Sequence, residues 1–286
     1  MKPKPAVLGL ISDPHIGSPT GVCPPQGVEL PQGARYVPGP VQRWLWDDVW
    51  LPYIDWLRDI KREVRGDFYL VTNGDAMDAH EKADIISRDP EKLLYLGIES
   101  YRPFKKLNPV KVWFTRGTSS HVGGEDASLE EALAHRLHDE LLYPLQRMGH
   151  QWTWWELDLV FYGTTVQVAH HGRVGSKEHT RQSNAAGWAN DIRNQYQNCG
   201  LVPPSLVVRA HCHQLADSGL SLLCPVRYVV QPCMQIKNAF AHKVSANRPL
   251  QLSDIGGLCA IFYPNGTYEL RSFIRRPVPS KPSVIK

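Results

Sequence analysis

Short apolar runs, each stopped by glycine, proline or a histidine-bearing polar stretch, recur along most of the chain. Val7 to Ile11, Phe68 to Val71, Val110 to Phe114, Val166 to Ala169 and Leu206 to Val208 have the length and branched-residue content of buried strands. A different period separates them. From Val41 to Arg65, Trp46, Val49, Trp50, Tyr53, Trp56, Leu57, Ile60 and Val64 recur at helical spacing, with Pro52 marking a start or a kink. That aromatic stripe reads as a packing face in preference to a base-stacking platform. Residues 76–108 read as charged helical material, with a start at Asp89-Pro90-Glu91. Ser128-Leu129-Glu130-Glu131 has the form of a capping box opening a helix with Leu129, Leu133, Leu137, Leu141 and Leu145 on one stripe. His135 and His138 fall off that stripe and read as solvated.

The second half turns to hairpins. Trp152 to Tyr162 and Thr164 to Ala169 form two β-like runs hinged at Gly163, followed by a helical segment from Gly175 to Cys199. Val226 to Gln231 predicts a further strand, and Leu258 to Tyr263 with Tyr268 to Phe273 predict a hairpin around Asn265-Gly266. Residues 17–40 carry Pro24, Pro25, Pro31, Pro38 and Pro40 with no period, and read either as a lid or substrate wall or as a passive surface loop. Strands alternating with helices, then hairpins, indicate a layered α/β fold. No composition break divides residues 1–276, which are expected to form a single domain, with 277–286 a disordered tail.

Composition narrows the class only slightly. The 286 residues carry a formal net charge of +4, which permits an anionic partner without itself arguing for nucleic acid. No apolar run approaches the roughly 20 residues needed to span a bilayer, so no membrane partner is expected. The N-terminus enters the first strand without a secretory apolar region, which places the expected location in the cytoplasm. The 6 cysteines show no Cys-x-x-Cys pair and are expected to be free thiols, Cys212 pointing into the core.

Chemistry gathers at the ends of the five strand-like runs. The first ends in Asp13-Pro14-His15, the second in Gly74-Asp75, and the third in Gly117-Thr118-Ser119-Ser120-His121. His170-His171-Gly172 closes the fourth and Ala210-His211-Cys212-His213 the fifth. One Asp-x-His means little, but five such ends in one chain bring carboxylates and imidazoles to one rim. That donor mixture suits manganese, iron, zinc or nickel better than calcium or magnesium, because imidazole prefers borderline cations.

The ordered set, over roughly residues 7–213, resembles the calcineurin-like metallophosphoesterase superfamily, whose pattern is Asp-x-His, Gly-Asp, Gly-Asn-His-Asp/Glu, His and Gly-His-x-His. Two departures stand out: Thr118 replaces the family's Asn, with the histidine displaced to His121, and Ala210 replaces a glycine. The resemblance implies a four-layer β-sandwich flanked by α-helices, with two divalent transition-metal ions at the strand ends, manganese first among them. Asp13, His15, Asp75 and His213 would hold one ion, and Asp75, a histidine of the 170–171 pair and His211 the other, with Asp75 bridging. His170 is the expected ligand, leaving His171 as its neighbour or a phosphate contact. His121 is expected to be the general acid or the missing ligand, the bland alternative being a surface histidine. Arg116, Arg173, Lys177 and Arg181 are candidate phosphate contacts. The implied activity is metal-dependent hydrolysis of phosphodiesters, in nucleotides or nucleic acid. The Gly-Thr-x-x-His variant resembles phage-encoded members of the superfamily. Phosphomonoesters, including phosphoproteins, are the alternative substrates, and a scaffold with an inactive site is the third reading.

Overall fold

A computed structural model describes residues 3–30, 33–79, 84–175, 180–237 and 253–276. Its first sheet takes β1 (Ala6–Ile11), β4 (Asp67–Asn73), β5 (Lys111–Thr115), β6 (Thr153–Trp154), β12 (Ile255–Phe262) and β13 (Tyr268–Arg275) in the order β13-β12-β1-β4-β5-β6. β1, β4, β5 and β6 run parallel, while β12 and β13 are antiparallel additions. The second sheet orders β7 (Leu157–Phe161), β8 (Thr164–His171), β9 (Leu206–Ala210), β10 (Ala216–Asp217) and β11 (Arg227–Val230) as β10-β11-β9-β8-β7, with β8, β9 and β11 parallel.

Three buried clusters define four layers. Leu8, Leu10 and Val71 of the first sheet meet Val166, Val168 and Val208 of the second, forming the sandwich core. On the outer face of the first sheet, Val7, Phe68 and Leu70 pack against α2 (Leu51–Val64), α3 (Pro90–Tyr101) and α5 (Ser128–Leu141). On the outer face of the second, Val207 and Val230 pack against Ala185 and Ala189 of α6 (Arg181–Asn198). The alternation of side chains along each strand feeds both clusters on either side of it. The helix-flanked sandwich is therefore the fold observed.

The helix expected over Val41 to Arg65 is continuous in three parts: α1 (Pro40–Trp44), a π-helical turn (Leu45–Trp50) and α2. The wide turn lies directly before Pro52, whose ring nitrogen has no hydrogen to donate, so proline marks a local widening and not a break. Trp50 and Tyr53 are fully buried, and Tyr53 donates its hydroxyl to the Leu258 carbonyl at 2.7 Å. The aromatic stripe is a packing face. At α3, Asp89 caps the helix by accepting the Glu91 N–H at 3.0 Å.

Three expectations change. The capping box at Ser128 does not form: Ala127 is the residue before the helix, in the left-handed region, and Ser128 Oγ donates to the Gly123 carbonyl instead. Glu130 and Glu131 turn inward, to uses described below. The run Trp152 to Tyr162 is also not one strand. It splits at Trp155-Glu156, leaving β6 in the first sheet and β7 in the second, so the chain crosses the sandwich there. Finally, the described part of residues 17–40 contains a small hairpin, β2 (Val28–Glu29) with β3 (Arg35–Tyr36), with Gln26 donating to Glu99 on α3. The tail 277–286 lies outside the described residues.

Candidate metal centre

The parallel strands β1, β4, β5, β8 and β9 deliver all five motifs to one end of the sandwich, at their carboxyl ends. Backbone hydrogen bonds lock the first two loops together before any side chain is considered. Asp13 N–H donates to the Gly74 carbonyl at 3.1 Å, His15 N–H to Asp75 at 3.0 Å and Ile16 N–H to Ala76 at 3.1 Å. The third loop joins through Ala79 N–H, which donates to the His121 carbonyl at 2.9 Å.

Two glycines make the close approach possible. A Cβ at Gly74, whose φ is +74°, would stand 2.3 Å from the His170 ring; one at Gly117 would stand 2.2 Å from the Asp75 N–H and carboxylate. Asp13, His15, Asp75, His211 and His213 all lie in the left-handed region with φ between 43° and 71°. Such conformations are costly for residues with a side chain and persist where the surroundings over-determine them. Five of them at one rim mark a place where the fold has accepted strain to aim side chains.

The side chains fall into three sets: Asp13, His15 and His213; Asp75, His170 and His211; and His15, Asp78 and His121. Asp13 Oδ1 lies 3.2 Å from His213 Nε2 and 3.9 Å from both His15 and His170 Nε2. Asp75 Oδ2 lies 3.1 Å from His170 Nε2 and 3.8 Å from His15 Nε2. Each carboxylate thus faces histidines of both of the first two sets. His170 Nδ1 is 2.8 Å from the Asn73 carbonyl, which fixes the ring with Nε2 toward the carboxylates.

Electrostatics follow from burial and this pairing. Burial alone would raise the Asp13 carboxyl, but His213 and His170 outweigh it and hold it at about 2. Asp75 is likewise held far below the usual carboxylate range, burial being overcome by His170 and His15. In return His170, disfavoured as a cation by burial, is raised to about 9 by Asp75 and Asp13. His211 is lowered, first by burial and then by the neighbouring His170.

At the sequence level the chain matches no family model and no curated protein. Among solved structures it is similar to zinc-complexed Vps29 from Entamoeba histolytica, at 7% identity and a TM-score of 0.38 over 94% of this chain and 98% of that one. It is also similar to a predicted phosphoesterase from Streptococcus pneumoniae, at 8% identity and a TM-score of 0.32 over 95% and 98%. A third, sulfate thiohydrolase SoxB from Thermus thermophilus, shares 13% identity with a TM-score of 0.38 over 94% of this chain and 56% of its own. The chemistry must be read from this chain's own residues.

Those residues fit a divalent cation. Asp13 Oδ1 and His15 Nε2 are buried without a hydrogen-bond partner, and polar atoms are seldom left so in a folded core. A carboxylate and imidazoles with lone pairs aimed at a common centre are the donor set of a borderline transition metal.

The other candidate residues fall at varying places around these sets. His171 is exposed and lies off the carboxylate sets, its ring 5.2 Å from that of His211, so of the pair only His170 faces Asp13 and Asp75. Thr118 donates its hydroxyl to Asp75 Oδ2 at 3.2 Å and stands 3.1 Å from His211 Nδ1, beside the second set. The Arg173 guanidinium sits 5.1 Å over the Trp188 ring. Arg181 pairs with Asp254 at 3.2 Å, and Lys177 lies outside the described residues. Cys212 is half-buried, its thiol donating to the Gly172 carbonyl at 3.3 Å, and all 6 cysteines are free.

Two residues of the site were not singled out from sequence. Asp78 sits between histidines, 3.3 Å from His15 Nδ1 and 3.1 Å from His121 Nδ1. Its only sequence signal is its position three residues after Asp75. Glu130, fully buried, accepts the Ala76 N–H at 2.8 Å and the Gly117 N–H at 2.9 Å, tying the second and third motif loops together. Burial first, and the nearby Asp75 second, raise its carboxyl to about 7. Its signal was legible, since Glu130 falls on the apolar stripe with Leu133, Ala134 and Leu137.

Proposed function

We propose that this chain is a metal-dependent phosphoesterase acting on phosphodiester bonds, with Asp13, His15, Asp75, His170, His211 and His213 as its metal ligands. The observation that carries the reading is the convergence of Asp13 and Asp75 on histidines of the first, fourth and fifth motif loops, with Asp13 Oδ1 and His15 Nε2 buried among them without a hydrogen bond. Two bound divalent cations, manganese being the leading candidate, would supply an activated water and neutralise charge on the phosphoryl oxygens.

The remaining steps belong to the protein. Asp78 accepts from His121 Nδ1, which holds the ring. Burial opposes a charge on His121, yet the hydrogen bond to Asp78 and the charge of Asp75 raise its proton affinity above that of a free imidazole. A protonated His121 is therefore placed to give its proton to the departing alkoxide as general acid. Asp78 also faces His15 Nδ1, orienting that ring so that Nε2 points to Asp13 and Asp75. Thr118, tied to Asp75 and near His211, takes the place beside the second set where the superfamily pattern has an asparagine.

The test is hydrolysis of bis-p-nitrophenyl phosphate and p-nitrophenyl phosphate by metal-stripped protein, with manganese, zinc, nickel or magnesium restored singly. Metal-dependent turnover preferring the diester supports the proposal. Preference for the monoester replaces the substrate class, and binding of metal without turnover on either ester favours the scaffold reading.

A further inference from the structure

Beside the second histidine set lies a cavity of about 230 Å³ that none of the proposed ligands occupies. Thr118 and His171 form its wall toward the metal centre, and Trp155 lines it at the crossing between the two sheets. Trp155 is 54% exposed, an expensive position for an indole that could have packed inside. Its ring is held by the guanidinium of Arg116, 4.8 Å from the ring centroid. Arg116 is only 5% exposed and is itself anchored, Nε donating to Thr153 Oγ1 at 3.1 Å and Nη1 to the Glu125 carbonyl at 3.3 Å. Cation and ring together make a rigid platform.

The cavity's chemistry restricts what it takes. Arg116 donates from Nε and Nη1 to Thr153 and Glu125, and its buried Nη2 lies 3.7 Å from Glu131, so much of its charge is already balanced within the protein. Glu125 on the lining would repel a second phosphate. The volume lies below the range of drug-sized pockets, which suits a single small ring system better than a peptide segment. Ser119, Glu125 and backbone groups supply polar partners for the edge of a heteroaromatic ring, and the indole supplies a face for stacking.

We infer that this cavity is a base subsite, in which Trp155 stacks on the nucleobase of a nucleotidyl ester whose phosphate lies at the Asp13–Asp75 centre. The inference rests on the phosphoesterase reading for its placement of the phosphate, and deepens it by naming the substrate class as nucleotidyl esters.

Two measurements on manganese-supplied protein test it. Calorimetry compares AMP with ribose 5-phosphate as ligands; kinetics compare thymidine 5′-p-nitrophenyl phosphate with ethyl p-nitrophenyl phosphate. The variants are Trp155→Ala and Trp155→Phe, at an exposed position whose truncation leaves the core intact. Trp155→Ala is expected to weaken AMP, and to lower kcat/KM on the thymidine ester, by about 5- to 150-fold, the range lost with one base–aromatic stack. Ribose 5-phosphate and the ethyl ester should be little changed, and Trp155→Phe should recover most of the loss. AMP binding no tighter than ribose 5-phosphate, or a Trp155→Ala loss shared equally by both ligands, overturns the subsite. Absence of metal-dependent hydrolysis on either ester would instead overturn the phosphoesterase reading, while the calorimetric comparison still decides whether the cavity takes a base.

Discussion

His213 and His121 separate two kinds of histidine that a sequence motif treats alike. His213 faces the buried, unpaired oxygen of Asp13 at 3.2 Å, the arrangement of a ligand. His213→Ala should lose bound metal and esterase activity in parallel, which metal analysis of the purified variant against its rate will show; full activity in that variant rules the assignment out. His121 pairs with Asp78 at 3.1 Å, its ring 4.7 Å from that of His15, the arrangement of an acid held by its partner at the edge of the centre. His121→Ala should therefore hydrolyse p-nitrophenyl esters close to normally, because that leaving group needs little protonation, while losing roughly 10²–10⁴-fold on alkyl esters. Equal losses on both leaving groups would make His121 a ligand.

Helix α5 is the element on which the site leans. Its leucines hold it to the first sheet, and its first turn spends two acids on loops instead of on its own N-terminus. Glu130 accepts from the loops after β4 and β5, and Glu131 accepts the Trp152 N–H at 2.8 Å at the start of β6. Removing one partner from a buried hydrogen bond costs about 1–3 kcal/mol per group left unpaired. Glu130→Ala orphans two N–H groups and should lower thermal stability by the sum of two such losses. It should also weaken metal binding by about 10–100-fold through the slackened loops, as loss of a supporting group around a metal typically does. Glu130→Gln, which keeps one acceptor, should fall between. A variant that unfolds earlier yet binds metal normally would confine Glu130 to a structural part.

At the scale of the whole molecule, the buried charges at the rim set the pH response. His170 binds its proton more tightly folded, at about 9, than as a free side chain at 6.5, so its contribution to the metal-free protein is present below 6.5 and fades as pH rises through 9. Glu130, raised from 4.5 to about 7, acts in the same direction over a lower window. Asp13, lowered from 3.8 to about 2, does the reverse: its contribution is present above 3.8 and disappears as pH falls toward 2. Metal-free protein should therefore lose thermal stability steadily from about pH 4.5 to 9. Metal binding needs unprotonated imidazoles, so the stabilisation gained on adding manganese should grow between pH 6.5 and 9. Melting curves with and without metal across that range check the sign; a metal-induced gain independent of pH would show that His170 does not give up a proton on binding.

Much was legible from the residues in order. Apolar runs that end in Asp-x-His, Gly-Asp or His-x-His identify buried strands and what stands at their ends, because strand length and breakers are local properties. Alternation would send His170 and His171 to opposite faces, but β8 is irregular between Val168 and His171 and the two rings lie 5.1 Å apart. Which of them faces inward is a matter of register against β9 and of Asn73 reaching across from β4, and those contacts lie far apart in sequence. The same holds for Asp78 meeting His121, for Glu130 turning from a capping role to two loops, and for Arg173 stacking over Trp188. Local pattern decides the type of each element and the chemistry at its end. Only the packing of one sheet on the other decides which ends meet, and it places Trp155 and Arg116 around a cavity that no spacing in the chain announces.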